Sequence, residues 1–266
     1  MTLSSTITKI SAVAISGAIL SSAAIAQAIS INRSSGFWTE TTGGQHIIYG
    51  NGDEGSTTFG DATVQGETGK NQVRWGTPFP ESGLGDPNDH ENKSGLGFVG
   101  VGAMDVEVDE VFELGTLLHY NNPVKGSEAA TAAALDVKLD LGDELGIKTF
   151  SFNFEIEETL NSGNVEDCTY ESETPCADRI SWSNDFASQT FTFGDQEYTV
   201  ELLGFRESIE SPLVEEFISQ ENGTSSANLY ARLTVAPPSA DVPEPASLLG
   251  LGLVGGSVLV ARRRRR

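Results

Sequence analysis

Between residues 29 and 235 apolar side chains recur at every second position in short runs, and Gly, Asn, Asp and Pro separate the runs. That is the period of a β-strand, whose successive side chains point to opposite faces. Phe150-Ser151-Phe152-Asn153-Phe154-Glu155-Ile156-Glu157 is the clearest case: three Phe and an Ile share one face, and Ser, Asn and two Glu share the other. Residues 135–141 alternate as strictly. Residues 72–75, 111–119 and 229–235 give further strands, and 190–193 and 198–203 flank Gly194-Asp195-Gln196 as a hairpin. Only 128–134, rich in alanine, suits a single helical turn.

Many short strands, each with one apolar face, bury those faces by pairing two sheets or closing a barrel. The expected fold class is therefore all-β, an antiparallel β-sandwich of jelly-roll type over residues 29–236. No fixed period of repetition points to a solenoid or propeller. Residues 43–69 and 76–93 are crowded with turn formers and read as long loops, where binding residues usually sit.

The two ends break this pattern. Lys9, the uncharged stretch 10–25 and the small-x-small triplet Ala26-Gln27-Ala28 form a secretory signal, with Ala26 and Ala28 setting cleavage before Ile29. At the other end, 237–245 is a Pro-rich linker carrying Pro243-Glu244-Pro245. An apolar stretch, 246–261, and Arg262 to Arg266 follow. At roughly 1.5 Å per residue those 16 residues span about 24 Å, a little short of a bilayer core. The arginines keep the tail cytoplasmic and place residues 29–240 outside.

Val242-Pro243-Glu244-Pro245-Ala246-Ser247, a short glycine-containing apolar helix and a terminal Arg cluster together resemble the PEP-CTERM sorting signal. The resemblance covers 242–266. It implies transient anchoring in the inner membrane of a Gram-negative bacterium, recognition of Pro243, Glu244 and Pro245 by an exosortase-type protease, and release to the cell surface or extracellular matrix. Phe112-Glu113-Leu114-Gly115-Thr116-Leu117-Leu118-His119-Tyr120-Asn121-Asn122-Pro123-Val124 is similar to a segment of the choice-of-anchor K and THxN groups of such surface proteins. Trp75-Gly76-Thr77-Pro78, Ser94-Gly95-Leu96-Gly97-Phe98, the Cys168/Cys176 loop, residues 198–205 and residues 226–232 follow the same order. Leu118 departs from the Thr expected before the His. This second resemblance implies no activity.

Charge sharpens the picture. The chain of 266 residues has 38 acidic and 16 basic side chains, a net charge of −22. Removing both ends leaves 10 basic residues and a net charge near −28. Nucleic acid is excluded as a main partner, since phosphate binding needs a basic patch. The strong charge favours solubility and mutual repulsion at a crowded surface. Cys168 and Cys176 are the two cysteines of an exported chain, so a disulfide between them is the expected state. Closing so short a loop stabilises by roughly 2–3 kcal/mol.

Chemistry beyond this is sparse. His46, His90 and His119 lie far apart, and His119 before Asn-Asn-Pro reads as a strand-end residue bonding the backbone of a turn. Glu155 and Glu157 share a strand face, which reads as the solvent face opposite the Phe row. No nucleophile elbow, P-loop or HExxH motif is present, and the expectation is a non-enzymatic protein. Calcium is the one cofactor the loops suit. Asp53-Glu54 and Asp86-Pro87-Asn88-Asp89-His90-Glu91 are oxygen-rich, with Asp86, Asp89 and Glu91 as candidate ligands, although neither has EF-hand spacing. A carbohydrate site would use an exposed aromatic, and Trp38, Trp75 and Trp182 are the candidates by type, each equally suited to the core. The expected function is a structural component of an extracellular polysaccharide or biofilm layer. The alternative is a carbohydrate-binding module assisted by calcium.

Overall fold

The Phe row of 150–157 forms the strand its alternation requires. In the computed structural model Phe150, Phe152, Phe154 and Ile156 are buried, while Ser151, Glu155 and Glu157 are exposed. The structure describes residues 28–50, 58–59, 62–63, 71–79, 85–159, 161, 164–173, 175–182, 188–193, 196–206 and 208–235. The signal segment with Ala26, the linker, Pro243, Glu244, Pro245 and the sorting helix lie outside them. Ala28 is exposed, and Ile29 already stands in a strand.

The strands run β1 (Ile29–Ile31), β2 (Arg33–Gly43), β3 (Ile48–Gly50), β4 (Thr58–Phe59), β5 (Ala62–Thr63), β6 (Asn71–Trp75), β7 (Ser94–Gly100) and β8 (Met104–Val106). They continue with β9 (Val111–Asn121), β10 (Ala130–Asp140), β11 (Ile147–Glu157), β12 (Asp178–Trp182), β13 (Ser188–Phe193), β14 (Gln196–Arg206), β15 (Glu216–Ser219) and β16 (Gly223–Val235). The only α-helix among the described residues is α1 (Gly142–Leu145), one turn joining β10 to β11. No helix among them is long and apolar enough to cross a membrane.

Five strands form one sheet in the order β15-β12-β11-β10-β2, and seven form the other in the order β13-β14-β16-β9-β7-β6-β3. The pairings are antiparallel. The two sheets face each other as a sandwich curled toward a half-barrel, as the patterning required. The chain crosses between sheets at β2→β3, β9→β10, β12→β13, β14→β15 and β15→β16, so the last strand slots between β14 and β9. β1 pairs separately with β8.

The core lies between the sheets. Trp38, Leu135, Val137, Phe152 and Phe154 of one meet Val73, Leu96, Phe98, Leu117, Val200 and Leu229 of the other. An aromatic chain crosses it: Phe154 packs 6.1 Å from Trp38 and 6.4 Å from Phe205, and Phe205 packs 5.1 Å from both Trp182 and Phe217. Gly36 is required by close approach, because a methyl there would run into the Phe98 ring and the Leu135 side chain.

One expectation fails locally, and one strand was not foreseen. The Ala-rich 128–134 segment is not helical: Gly126–Glu128 forms a 3-10 turn, and β10 begins at Ala130. Ala132, Ala133 and Ala134 pair on both sides, with Thr42, Thr41 and Glu40 of β2 and with Glu155, Phe154 and Asn153 of β11. Helix propensity is a fraction of a kcal/mol per residue, and two flanking ladders outweigh it. β2 carries little apolar signal, because its inward positions Ser34 and Gly36 are small and only Trp38 is large.

Candidate functional site

The tryptophans proposed for a sugar platform serve the core instead. Trp38 and Trp75 are almost fully buried and Trp182 is nearly so. Trp38 Nε1 donates to Asn71 O at 3.1 Å. Large, mostly apolar rings gain most between the sheets, and none of the three offers a face to solvent.

The Asp86–Glu91 loop is closed by its own side chains. Asp86 Oδ1 accepts from Asn88 N at 2.9 Å and Asn88 Nδ2 at 3.1 Å, and Asp89 Oδ2 accepts from Asn92 Nδ2 at 2.9 Å. Glu91 is exposed. Beneath the loop lies a fully buried Lys93, whose Nζ donates to His46 O at 3.0 Å and to Gly76 O at 2.5 Å. Burial pulls the Lys93 ammonium down, while Glu128, Asp89 and Asp86 favour its charge. The acids of this loop thus face a cation the chain itself supplies. Asp86, Asp89 and Glu91 do not assemble as a metal group, and no group of three or more His, Cys, Asp or Glu among the described residues could hold a metal by itself. Asp53 and Glu54 lie outside the described residues.

Cys168 and Cys176 form the expected disulfide, with Cα atoms 5.2 Å apart. It closes a loop between β11 and β12. Glu155 and Glu157 stand on the solvent face, and Glu157 accepts from Arg179 Nη2 at 2.6 Å.

The chemistry that sequence reasoning missed lies inside the fold, between the ends of β9, β11, β12 and β15. His119 and Asn121 sit two apart on β9 and are both fully buried. Alternation gives them one face. Neither ring nitrogen of His119 has a hydrogen-bond partner, so the expected bond to a turn backbone is not made. Burial, and then the charge of Arg74, pull the imidazole down to about 3, which keeps it neutral. Asn121 Nδ2 reaches across to the other sheet and donates to Ser219 O at 2.9 Å.

Around Asn121 three carboxylates gather from separate segments. Glu158 follows β11, Asp178 opens β12, and Glu221 lies between β15 and β16. Asp178 is fully buried and Glu221 nearly so. Thr159 N and Oγ1 donate to Asp178 Oδ1 at 2.7 and 3.1 Å. Both Glu158 oxygens and Asp178 Oδ2 are shut off from solvent, and the two carboxyls lie within hydrogen-bonding reach of each other, so that a proton on one can be donated to the other. Burial, and then the charges of Asp178 and Glu221, push Glu158 up to about 9. Burial, and then Asp178, push Glu221 up to about 8. Burial raises Asp178 to about 6 against the opposing Thr159 bonds. Among the described residues the ion pairs lie elsewhere: Lys125 with Glu128, Arg179 with Glu157 and Glu216, Arg232 with Glu201. The residues come from four stretches spread over some hundred positions, and only the buried His119–Asn121 pair stands in a segment that the sequence singled out.

The sandwich itself has no match among curated proteins. Residues 241–266 match the family model described as the PEP-CTERM protein-sorting motif. That motif directs processing by exosortase, a membrane protease, and it marks this chain as an exosortase-sorted protein exported through the inner membrane to the cell surface or extracellular space.

Proposed function

We propose that the sandwich is a non-enzymatic structural component of the extracellular polysaccharide or biofilm matrix of a Gram-negative bacterium. The sorting motif at 241–266 carries this reading, because it commits the chain to the outside. The strong acidity supports it: a domain near −28 after removal of both ends stays soluble and repels its neighbours in a crowded layer. The resemblance of 112–124 to the choice-of-anchor K and THxN groups agrees, since those are surface proteins without a common activity.

A carbohydrate-binding role is the second reading. One observation favours it: a shallow groove crosses β2, β10 and β11 on the outer face, lined by Glu40, Thr41, Thr42, Ser151 and Asn153. These are hydrogen-bonding groups of the kind that orient a sugar, and no Trp side chain lines the groove.

The two readings separate on fractionation. The structural reading expects the protein to co-purify with the extracellular matrix and, once purified, to show no saturable binding to soluble polysaccharide from that matrix. Saturable binding that is weakened by Thr42→Ala and Asn153→Ala would establish the second reading. Retention of the whole protein in the inner membrane would overturn both.

A further inference from the structure

An asparagine two residues before Ser or Thr is the acceptor pattern for N-linked sugar on an exported chain. Three such triplets occur in the sequence: Asn32-Arg33-Ser34, Asn92-Lys93-Ser94 and Asn222-Gly223-Thr224. Spacing alone does not choose among them. Sugar transfer needs a side-chain amide free to leave the surface and a hydroxyl that an enzyme can reach, and the fold supplies both at one place.

The first two triplets are engaged. Asn32 Nδ2 donates to Asp140 Oδ1 at 3.2 Å. The hydroxyl of its triplet, on Ser34, is fully buried, donating to Leu114 O at 2.6 Å and accepting from Val101 N at 2.8 Å. Asn92 Nδ2 donates to Asp89 Oδ2 at 2.9 Å, and Lys93 and Ser94 after it are fully buried. Reaching either hydroxyl means opening β2 or β7.

Asn222-Gly223-Thr224 is the opposite case. It carries the chain from the turn after β15 into β16, and all three residues are exposed. Neither the Asn222 amide nor the Thr224 hydroxyl has a hydrogen-bond partner among the described residues. Asn222 has a φ of 60°, in the left-handed region that Asn tolerates at turns. A Cβ placed on Gly223 would meet nothing within 4 Å, so the space beside the amide is open. Glu221, one residue earlier, is nearly buried. The turn is thus anchored on its inner side and free at its tip.

We propose that Asn222 is an N-glycosylation site. The donor class is an oligosaccharide carried on a lipid pyrophosphate at the outer side of the inner membrane, which the exported chain passes. The Asn222 side-chain nitrogen bonds to the anomeric carbon of the first sugar as the bond from that carbon to the pyrophosphate oxygen breaks. The amide proton leaves, lipid pyrophosphate is released, and nothing is oxidised or reduced. The proposal rests on export of the domain. It gives the structural reading a means of attachment, because a covalent sugar chain at one end of the sandwich mixes with a polysaccharide layer without a binding groove.

The test is peptide mass spectrometry of the protein recovered from its native cells, from the membrane and from the extracellular material. Trypsin releases residues 207–232 as one peptide that holds Asn222 and neither of the other triplets. Fragmentation is expected to place a series of sugar-residue mass increments on Asn222. Asn222→Gln and, independently, Thr224→Ala should each abolish the increments, and Thr224→Ser should retain them. Asn32→Gln and Asn92→Gln should leave them unchanged. A bare 207–232 peptide in wild-type protein from both fractions would overturn the proposal. So would sugar that persists in Thr224→Ala, or that sits on Asn32 or Asn92 instead. A bare peptide in protein that has reached the outside refutes this proposal and leaves export standing. A chain held wholly in the inner membrane refutes export, and its peptide still reports on Asn222.

Discussion

Truncation of Phe154 to alanine should lower the stability of the exported domain by about 3–5 kcal/mol, the range for large aromatic deletions in a packed core. Phe154 is fully buried at the middle of β11. Its ring lies between Trp38 of the same sheet and Phe205 of the facing one, and it is the link that joins the two layers in the aromatic chain. Its neighbours cannot collapse into the space. Trp38 is fixed by its bond to Asn71 O, and Phe205 is held edge-on by Trp182 and Phe217. The residue paired with Phe154 on β10 is Ala133, which is too small to fill the gap. Urea denaturation should show the midpoint falling with the slope unchanged. Glu155→Ala, one residue along on the solvent face, should move stability by no more than about 0.5 kcal/mol. Equal effects at the two positions would contradict the assignment of faces.

The second large effect is on pH. Stability should fall steeply between pH 6.5 and 9. The carboxyls of Glu158 and Glu221 have native pKa values of about 9 and about 8, against an ordinary value of 4.5. The native state therefore holds protons that the unfolded state has already released, and the stability attached to them is lost as pH rises through the native values. Each such group contributes on the order of 1 kcal/mol per pH unit across that window. His119 acts in the opposite sense. Its native value of about 3 lies below the ordinary 6.5, so its contribution is present above pH 6.5 and lost as pH falls toward 3. Above pH 6.5 the contribution of His119 no longer changes, which is why the alkaline limb tests the carboxyls. Melting temperatures from pH 6.5 to 9 should fall in the wild type and fall less in Glu158→Gln. A flat profile would show that the cluster is not buried as described.

The parts of the fold that were legible in the sequence are those where burial is one-sided. The Phe row of β11 and the alternation of 135–141 gave strand, face and core together, because a period of two has one structural meaning when one face is apolar. The hairpin at 194–196 was legible through its turn residues, and Phe193 does pair with Gln196. β2 was not, since Ser34 and Gly36 face inward under Phe98 and small residues carry no hydrophobic signal. The alanines of 132–134 misled for a related reason: what places them is the close approach of two neighbouring strands, which propensity cannot report.

The sites divide differently. The disulfide followed from compartment and count. The sorting motif is local, contiguous and chemically distinctive, so it could be read directly. The acidic cluster could not, since Glu158, Asp178 and Glu221 look like three of 38 acidic residues until the strands bring them together in a buried place. Oxygen-rich loops such as 86–91 attract attention in a sequence, yet here they close on Asn side chains and on Lys93.

The claim on which all of this rests is that the chain is exported, cut at its sorting motif and released outside. Intact mass of the protein recovered from the cell surface and medium, before and after reduction, tests it most directly. The expected species runs from Ile29 to the vicinity of Pro245 and gains two daltons on reduction as the Cys168–Cys176 bond opens. A chain that still ends at Arg266 and stays in the inner membrane would contradict the account.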